Sequence, residues 1–325
     1  MIVWMDDALF AGGTARDLDR LALLRNLALR RHTLIVSTSP DAPWGARRSP
    51  DFDIWLAALP DRLRAEVVML RERSDRVSVN AVVRGAARVL VSARDPSAEH
   101  SGCWLSLEDA VRAVAQPLHI IVEHQIHDAA FLRRVMPPVW RKKLEDWERR
   151  GELRYEHGGG LPVMTAMVEF FCQDDKARLA FGLPAELWRL VHFLVYDHDG
   201  DCADAPSQGS RQLEGACDRA GMTNHHHRLK RRNQESYLPI KAMRQIVDTE
   251  ISDPANHKQL IEKINVYAAM GAEKHFEKLE DYPKAFKNAF ATAAPSASSW
   301  PDNWFEEDGA WPEMTNLAER IASAM

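Results

Sequence analysis

Two hydrophobic runs in this 325-residue chain end on carboxylates. Pro117-Leu118-His119-Ile120-Ile121-Val122 stops at Glu123, and Leu190-Val191-His192-Phe193-Leu194-Val195-Tyr196 runs into Asp197-His198-Asp199-Gly200-Asp201. Alternate residues of an extended segment point the same way, so Asp197 and Asp199 can share a face, with Asp201 just beyond. Carboxylates gathered this closely repel one another unless a proton or a cation neutralises them. Hard oxygen donors, without soft sulfur or paired imidazoles, suit Mg²⁺ or Mn²⁺. On this segment alone, a plain polar turn after a strand stays open as the other reading. A calcium-binding EF-hand loop does not fit. Counted from Asp197, the sixth and twelfth positions hold Cys202 and Gln208, where glycine and glutamate are required.

A second group of residues is basic. Residues 225–232 read HHHRLKRR, and in an extended strand Arg228, Lys230 and Arg232 alternate onto one face. Lys and Arg neutralise backbone phosphates without reading sequence, so this stretch is a candidate nucleic-acid track. The competing reading is a solvated edge strand whose charges discourage aggregation. His225, His226 and His227 are adjacent and point to opposite faces of a strand, which argues against a three-histidine metal site.

Other catalytic patterns fail for want of a partner. His157-Gly158-Gly159-Gly160 matches a lipase-type oxyanion motif, but the chain has no G-x-S-x-G nucleophile elbow. There is no G-x-x-x-x-G-K-[ST] phosphate loop and no H-E-x-x-H. Asp174-Asp175-Lys176 reads as surface.

The elements that must position these residues alternate between short apolar runs and helix-period segments. Strands are expected at Ile2–Met5, Thr33–Val36, Arg76–Val83, Ala87–Ser92, Pro117–Glu123, Leu153–His157 and Leu190–Tyr196. Helices are expected at Arg16–Arg31, at Asp51–Arg73 with a break at Pro60, from a Ser106 N-cap, at Asp128–Arg150 with a break at Pro137-Pro138, and at Val163–Phe171. From Ile240 the pattern is helical to about Thr292, before a Pro/Ser-rich breaker at Ala294–Trp300 and a tail carrying Trp304 and Trp311. Strands alternating with helices imply an α/β fold with a mostly parallel sheet flanked by helices. In such sheets ligands bind beyond the carboxyl ends of the strands, where Glu123 and Asp197 fall.

Taken in order, LHIIVEHQIHDAAFL, YEHGGG and FLVYDHDGD resemble the Toprim domain shared by topoisomerases, bacterial primases and OLD-type nucleases. That domain has a hydrophobic strand ending in Glu, a later glycine turn, and a strand ending in Asp-x-Asp. Leu229–Pro239, with Glu235 before Ser236-Tyr237-Leu238, resembles the basic strand and Glu-x-Tyr-Leu element of stand-alone Toprim proteins of anti-phage systems. The resemblance covers roughly residues 117–240, a little over a third of the chain. His124 stands where the family usually has glycine, and Asp128 lies five residues after Glu123 rather than four. The resemblance implies a Toprim-like sheet. It implies Glu123 as metal ligand or general acid/base, Asp197 and Asp199 as holders of Mg²⁺ or Mn²⁺, Asp201 as a helper, and Glu235 as a late ligand or a salt-bridge partner. It further implies a metal-dependent nuclease acting on DNA or RNA, tRNA included, as an effector of bacterial defence under a separate ATPase partner. The alternatives are a non-catalytic regulatory or binding subunit on a degenerate Toprim scaffold and a primase-like nucleotidyl transferase.

Composition bounds the rest. With 46% hydrophobic and 27% charged residues the chain can build a core, which excludes wholesale disorder. A net charge of −5 excludes a polybasic nucleic-acid coat, so a nucleic-acid partner must meet a local basic patch or a metal ion. Cys103, Cys172, Cys202 and Cys217 form no C-x-x-C pair, which removes a zinc ribbon and a disulfide framework. The opening MIVWMDDALF does not read as a secretory signal, and no apolar stretch is long enough to span a membrane. A cytoplasmic protein is the expectation, with self-association into a homo-oligomer left open. The expected divisions are an accessory α/β region at 1–115, the Toprim-like core at 116–240, and C-terminal helices with a tail at 241–325.

Overall fold

The computed structural model of the chain describes residues 2–12, 17–29, 33–40, 47–83, 88–93, 103–182, 184–277, 286, 289–290 and 300–325. Its strands are β1 (Ile2–Asp6), β2 (Thr33–Ser37), β3 (Arg88–Val91), β4 (Cys103–Leu105), β5 (Leu118–Val122), β6 (Leu153–His157), β7 (His192–Tyr196) and β8 (His226–Arg228). The helices that matter below are α1 (Asp17–Leu29), α2 (Pro50–Ala58), α3 (Asp61–Val83), α4 (Leu107–Ala115), α5 (Gln125–Val135), α6 (Pro138–Arg149), α7 (Leu161–Phe171), α8 (Asp174–Phe181), α9 (Ala185–Val191) and α10 (Gln208–Arg219). The fold is α/β, with two four-stranded, all-parallel sheets flanked by helices.

The chain forms two compact units, one of residues 1–118, 172–191 and 322–325, the other of 119–171 and 192–321. In the first, the strand order is β2-β1-β3-β4, with Ile2 opposite both Thr33 and Arg88. β1 and β2 are buried along their whole length, which is why they read as unbroken apolar runs rather than alternating ones. One face packs Val3, Met5, Val89 and Val91 against Leu23, Leu27, Phe52 and Val114. On the other lie Ile2, Trp4, Ile35 and Leu90, with Trp104 edge-on to Trp4. The helical region after residue 50 breaks where expected. Leu59, just before Pro60, is extended, as the proline ring requires of its predecessor. The Ser106 hydroxyl caps α4 by accepting from the Asp109 amide at 3.1 Å.

In the second unit the order is β6-β5-β7-β8, with His119 opposite His192, Ile121 opposite Leu194, and Tyr196 opposite Arg228. The break at Pro137-Pro138 separates α5 from α6. The C-terminal tail packs into this unit. Trp300 and Phe305 are buried, and the helix Trp311–Ala324 buries Met314, Leu317, Ala318 and Ile321.

Two expected strands are corrected. Arg76–Val83 is the last part of the 23-residue helix α3. Its β-branched valines are outweighed by propagation, because each residue added to a formed helix completes another backbone hydrogen bond. Leu190 and Val191 end α9, and the strand begins only at His192. Ala87 and the Ala294–Ser299 breaker lie outside the described residues. Among the described residues no helix is long and apolar enough to cross a membrane.

Candidate metal centre

β5 and β7 are parallel neighbours, so the residues that follow them emerge side by side. Glu123 is the first residue after β5 and Asp197 the first after β7. The Asp197 amide donates to Glu123 Oε1 at 3.4 Å, a long contact that nonetheless fixes their proximity across 74 residues of sequence. The glycine turn after β6 closes over the same point. The Gly158 amide donates to the Val122 carbonyl at 2.7 Å, and the Gly159 amide to that of Glu123 at 3.3 Å. Gly160 has a φ of +89°, and a Cβ there would sit 3.9 Å from Glu123 Oε2. Glycine therefore supplies the left-handed backbone that sets this turn beside the carboxylate.

The loop after β7 separates its side chains by alternation. His198 is buried. Its Nδ1 accepts from the Gly200 amide at 3.1 Å, its Nε2 reaches the Ala203 carbonyl at 3.2 Å, and its ring packs on Phe276. Asp197 and Asp199 on either side are half-buried. Asp199 takes a φ of +53°, and its amide donates to the Arg232 carbonyl at 2.7 Å. At position 200 only glycine fits, since a Cβ would lie 2.0 Å from the Ala205 carbonyl oxygen. Asp128, in the first turn of α5, accepts from the His124 amide at 2.8 Å. Glu235 is in a short 3-10 helix, Gln234–Tyr237.

These acids act on one another. Burial, together with the charges of Asp199, Asp128 and Glu235, pushes Glu123 up to about 7, against the opposing Asp197 amide. Asp197 is held well above the carboxylate range, first by burial and then by Glu123, Asp128, Asp199 and Glu235. Burial also raises Asp128 and Asp199; at Asp199, Arg232 and His198 oppose it. A bound divalent cation would relieve this repulsion, and the donors are hard oxygens throughout. The acids are spread, however. Among the described residues the one group of three His, Cys, Asp or Glu side chains with donor atoms within 4.8 Å of one another is His119, Glu156 and His192. Mg²⁺ tolerates an open set, because it keeps several waters and is held by one or two carboxylates together with substrate phosphate. The residues present fit such an ion.

Of the expected site residues, Glu123 and Asp197 meet, and Asp199 and Glu235 are close enough for their charges to raise both carboxyls. Asp128 joins them despite its irregular spacing. Asp201 faces solvent, and Arg232 Nη1 donates to its Oδ1 at 2.6 Å. The basic stretch is corrected: β8 ends at Arg228, and residues 230–233 form bends, so Arg228, Lys230 and Arg232 do not line one strand face. Arg228 pairs with Glu214 at 2.5 Å, Lys230 is exposed, and Arg232 also donates to the Gly200 carbonyl at 3.0 Å. The strand stops because the following residues are bound elsewhere. The buried Arg231 guanidinium pairs with Asp308, and the Lys230 amide donates to Glu313 Oε1 at 2.7 Å. His226 and His227 are buried and bonded, to Tyr196 and Glu313 respectively. Sequence reasoning missed the His119–Glu156–His192 group. Its only signal was a histidine near the start of each of two apolar runs.

Fold and site thus define an α/β protein that gathers carboxylates at the ends of adjacent parallel strands. No family model, no curated protein and no solved structure matches the chain.

Proposed function

We propose that this protein is a divalent-metal-dependent nuclease that hydrolyses phosphodiester bonds in DNA or RNA, using Mg²⁺ or Mn²⁺ at a Toprim-like centre. The observation that carries the reading is the meeting of Glu123 and Asp197 at adjacent strand ends, with both carboxyls driven upward by burial and by their acidic neighbours. Asp197 and Asp199 would hold the ion, with Glu235 and Asp128 shaping the field around it. Glu123, poised near 7, can exchange a proton with an attacking water or a leaving oxygen at neutral pH. A bound divalent ion would supply charge neutralisation at the phosphate and a more acidic water. An open groove of about 630 Å³ between α7 and α10, lined by Arg211 and Arg219 among others, offers phosphates a path; exposed Lys230 is a second cation for the backbone.

With no phosphate loop in its sequence, such an enzyme fits the role of an anti-phage effector controlled by a separate ATPase. The test is incubation of wild type and Glu123→Gln with plasmid, single-stranded DNA and total tRNA, with and without Mn²⁺, alone and with a companion ATPase. Metal-dependent cleavage by wild type only is expected; equal cleavage by the two proteins overturns the reading. The wide spacing of the acids favours one other reading, a non-catalytic regulatory or binding subunit. Anomalous scattering from Mn²⁺-soaked crystals separates the two, since that reading predicts no ion between Glu123 and Asp197.

A further inference from the structure

The second unit holds another group of ligand-type side chains, two histidines near the starts of β5 and β7 and a glutamate near the end of β6. His119 is the second residue of β5 and His192 the first of β7, and the two are directly opposite in the ladder. Their rings stack with centroids 4.9 Å apart and planes 24° from parallel. Glu156 reaches them from β6, the neighbour of β5 on the other side. His119 Nδ1 lies 2.5 Å from Glu156 Oε1, and one donor atom from each of the three residues is within 4.8 Å of the others. Both histidines are buried, while the Glu156 side chain is 41% exposed, so solvent reaches the group through the carboxylate.

We propose that His119, Glu156 and His192 form a binding site for a first-row transition ion, Zn²⁺ foremost, that ties β6, β5 and β7 together. Two imidazoles and a carboxylate are the donor set that such ions prefer and that Mg²⁺ does not. His119 Nε2 is a second, independent sign of a missing ligand. It is buried and has no hydrogen-bond partner among the described residues, a costly state for an imidazole nitrogen. Nε2, without such a partner, is the nitrogen open to a metal, and to ligate an ion there Glu156 must give up its present contact with Nδ1. Tetrahedral coordination at Zn–N distances near 2.0–2.1 Å places donors about 3.4 Å apart, so donors now up to 4.8 Å apart must close by as much as about 1.4 Å, with the stacked rings turning toward one another. Water from the open side would take the fourth position.

This site is distinct from the acidic one. His119 precedes Glu123 by four residues, which is about 13 Å along an extended strand. It does not rest on the nuclease reading, and zinc uptake and Mg²⁺-dependent cleavage can fail separately.

The test is calorimetric titration of the EDTA-stripped full chain with ZnCl₂ alone, for wild type, His192→Asn, Glu156→Gln and Glu123→Gln, with circular dichroism to confirm folding. Wild type and Glu123→Gln are expected to bind one Zn²⁺ with equal affinity, while His192→Asn and Glu156→Gln weaken it by at least roughly 10-fold. Zinc should raise the melting temperature of wild type and not of the two site variants. Should His192→Asn fail to fold, Glu156→Gln carries the comparison, because its side chain is partly exposed and isosteric. No zinc uptake by wild type overturns the proposal. Undiminished affinity in Glu156→Gln does so as well, since the ion would then sit elsewhere, at the acids or at His225–His227.

Discussion

Both sheets end on acids, and the two ends are built differently. In the first unit β1 ends at Asp6 and is followed by Asp7. The Asp7 carboxylate accepts from the amides of Phe52 at 2.9 Å and Asp51 at 3.0 Å, filling the donors of the first turn of α2. Asp6 accepts from the Ser92 hydroxyl at 2.8 Å and the Ala8 amide at 3.1 Å. In the second unit Glu123 has the Asp197 amide at 3.4 Å and otherwise faces acids, and its proton affinity rises accordingly. A carboxylate at a strand end is therefore not in itself a site. Where the protein supplies donors the acid is structural; where it supplies more acid, a proton or a cation must neutralise it.

The largest expected effect separates these two ends by activity. Glu123→Gln and Asp197→Asn should each lower Mn²⁺-dependent cleavage by roughly 10²–10⁴-fold, with melting temperature unchanged or raised, because a repulsive charge is removed. Cleavage rates and thermal melts on the same preparations check this. Either variant melting well below wild type would make the acid structural and erase the distinction.

Asp7→Ala is the mirror experiment. It should leave cleavage intact in the folded protein and lower stability by about 1–2 kcal/mol, the worth of a helix cap. Urea denaturation measures it. Lost cleavage at unchanged stability would mean that the first unit also carries chemistry.

Much of the acidic end was legible because its signals are local. β5 and β7 announce themselves as apolar runs, and acids directly after a run must fall at the sheet's carboxyl edge. The parts that were not legible depend on distant partners. The basic stretch reads as a strand, yet Arg231 is drawn to Asp308 and the Lys230 amide to Glu313, more than 70 residues away, and the strand ends early. Asp128 looked misplaced by count, but the α5 turn carries it back toward Glu123. The His119–His192 pair exists only through strand register, which no local pattern encodes.

The acidic end should also reveal itself by pH. Glu123 titrates near 7 in the folded chain against 4.5 for an unperturbed glutamate. A folded-state value above the unfolded one means stability fully present below about pH 4.5 and lost as pH rises through 7. In EDTA, urea midpoints should therefore fall over that window for wild type. In Glu123→Gln the slope should flatten, and Mn²⁺ should reverse it in wild type. An identical slope in wild type and Glu123→Gln would detach the effect from this carboxyl.

The smallest effect tests whether backbone and charge can be told apart at one residue. Asp199 contributes a carboxylate from a backbone with φ of +53°, a region that glycine adopts freely and aspartate tolerates better than alanine. Asp199→Gly and Asp199→Ala remove the same charge, so both should lose cleavage to the same extent. They differ in the backbone: alanine must hold the left-handed conformation that glycine adopts freely, and Asp199→Ala should be less stable than Asp199→Gly by about 1 kcal/mol. If instead the two variants differ in cleavage in step with stability, the role of Asp199 is to shape the turn that delivers Asp197. The acidic set facing Glu123 would then be narrower by one.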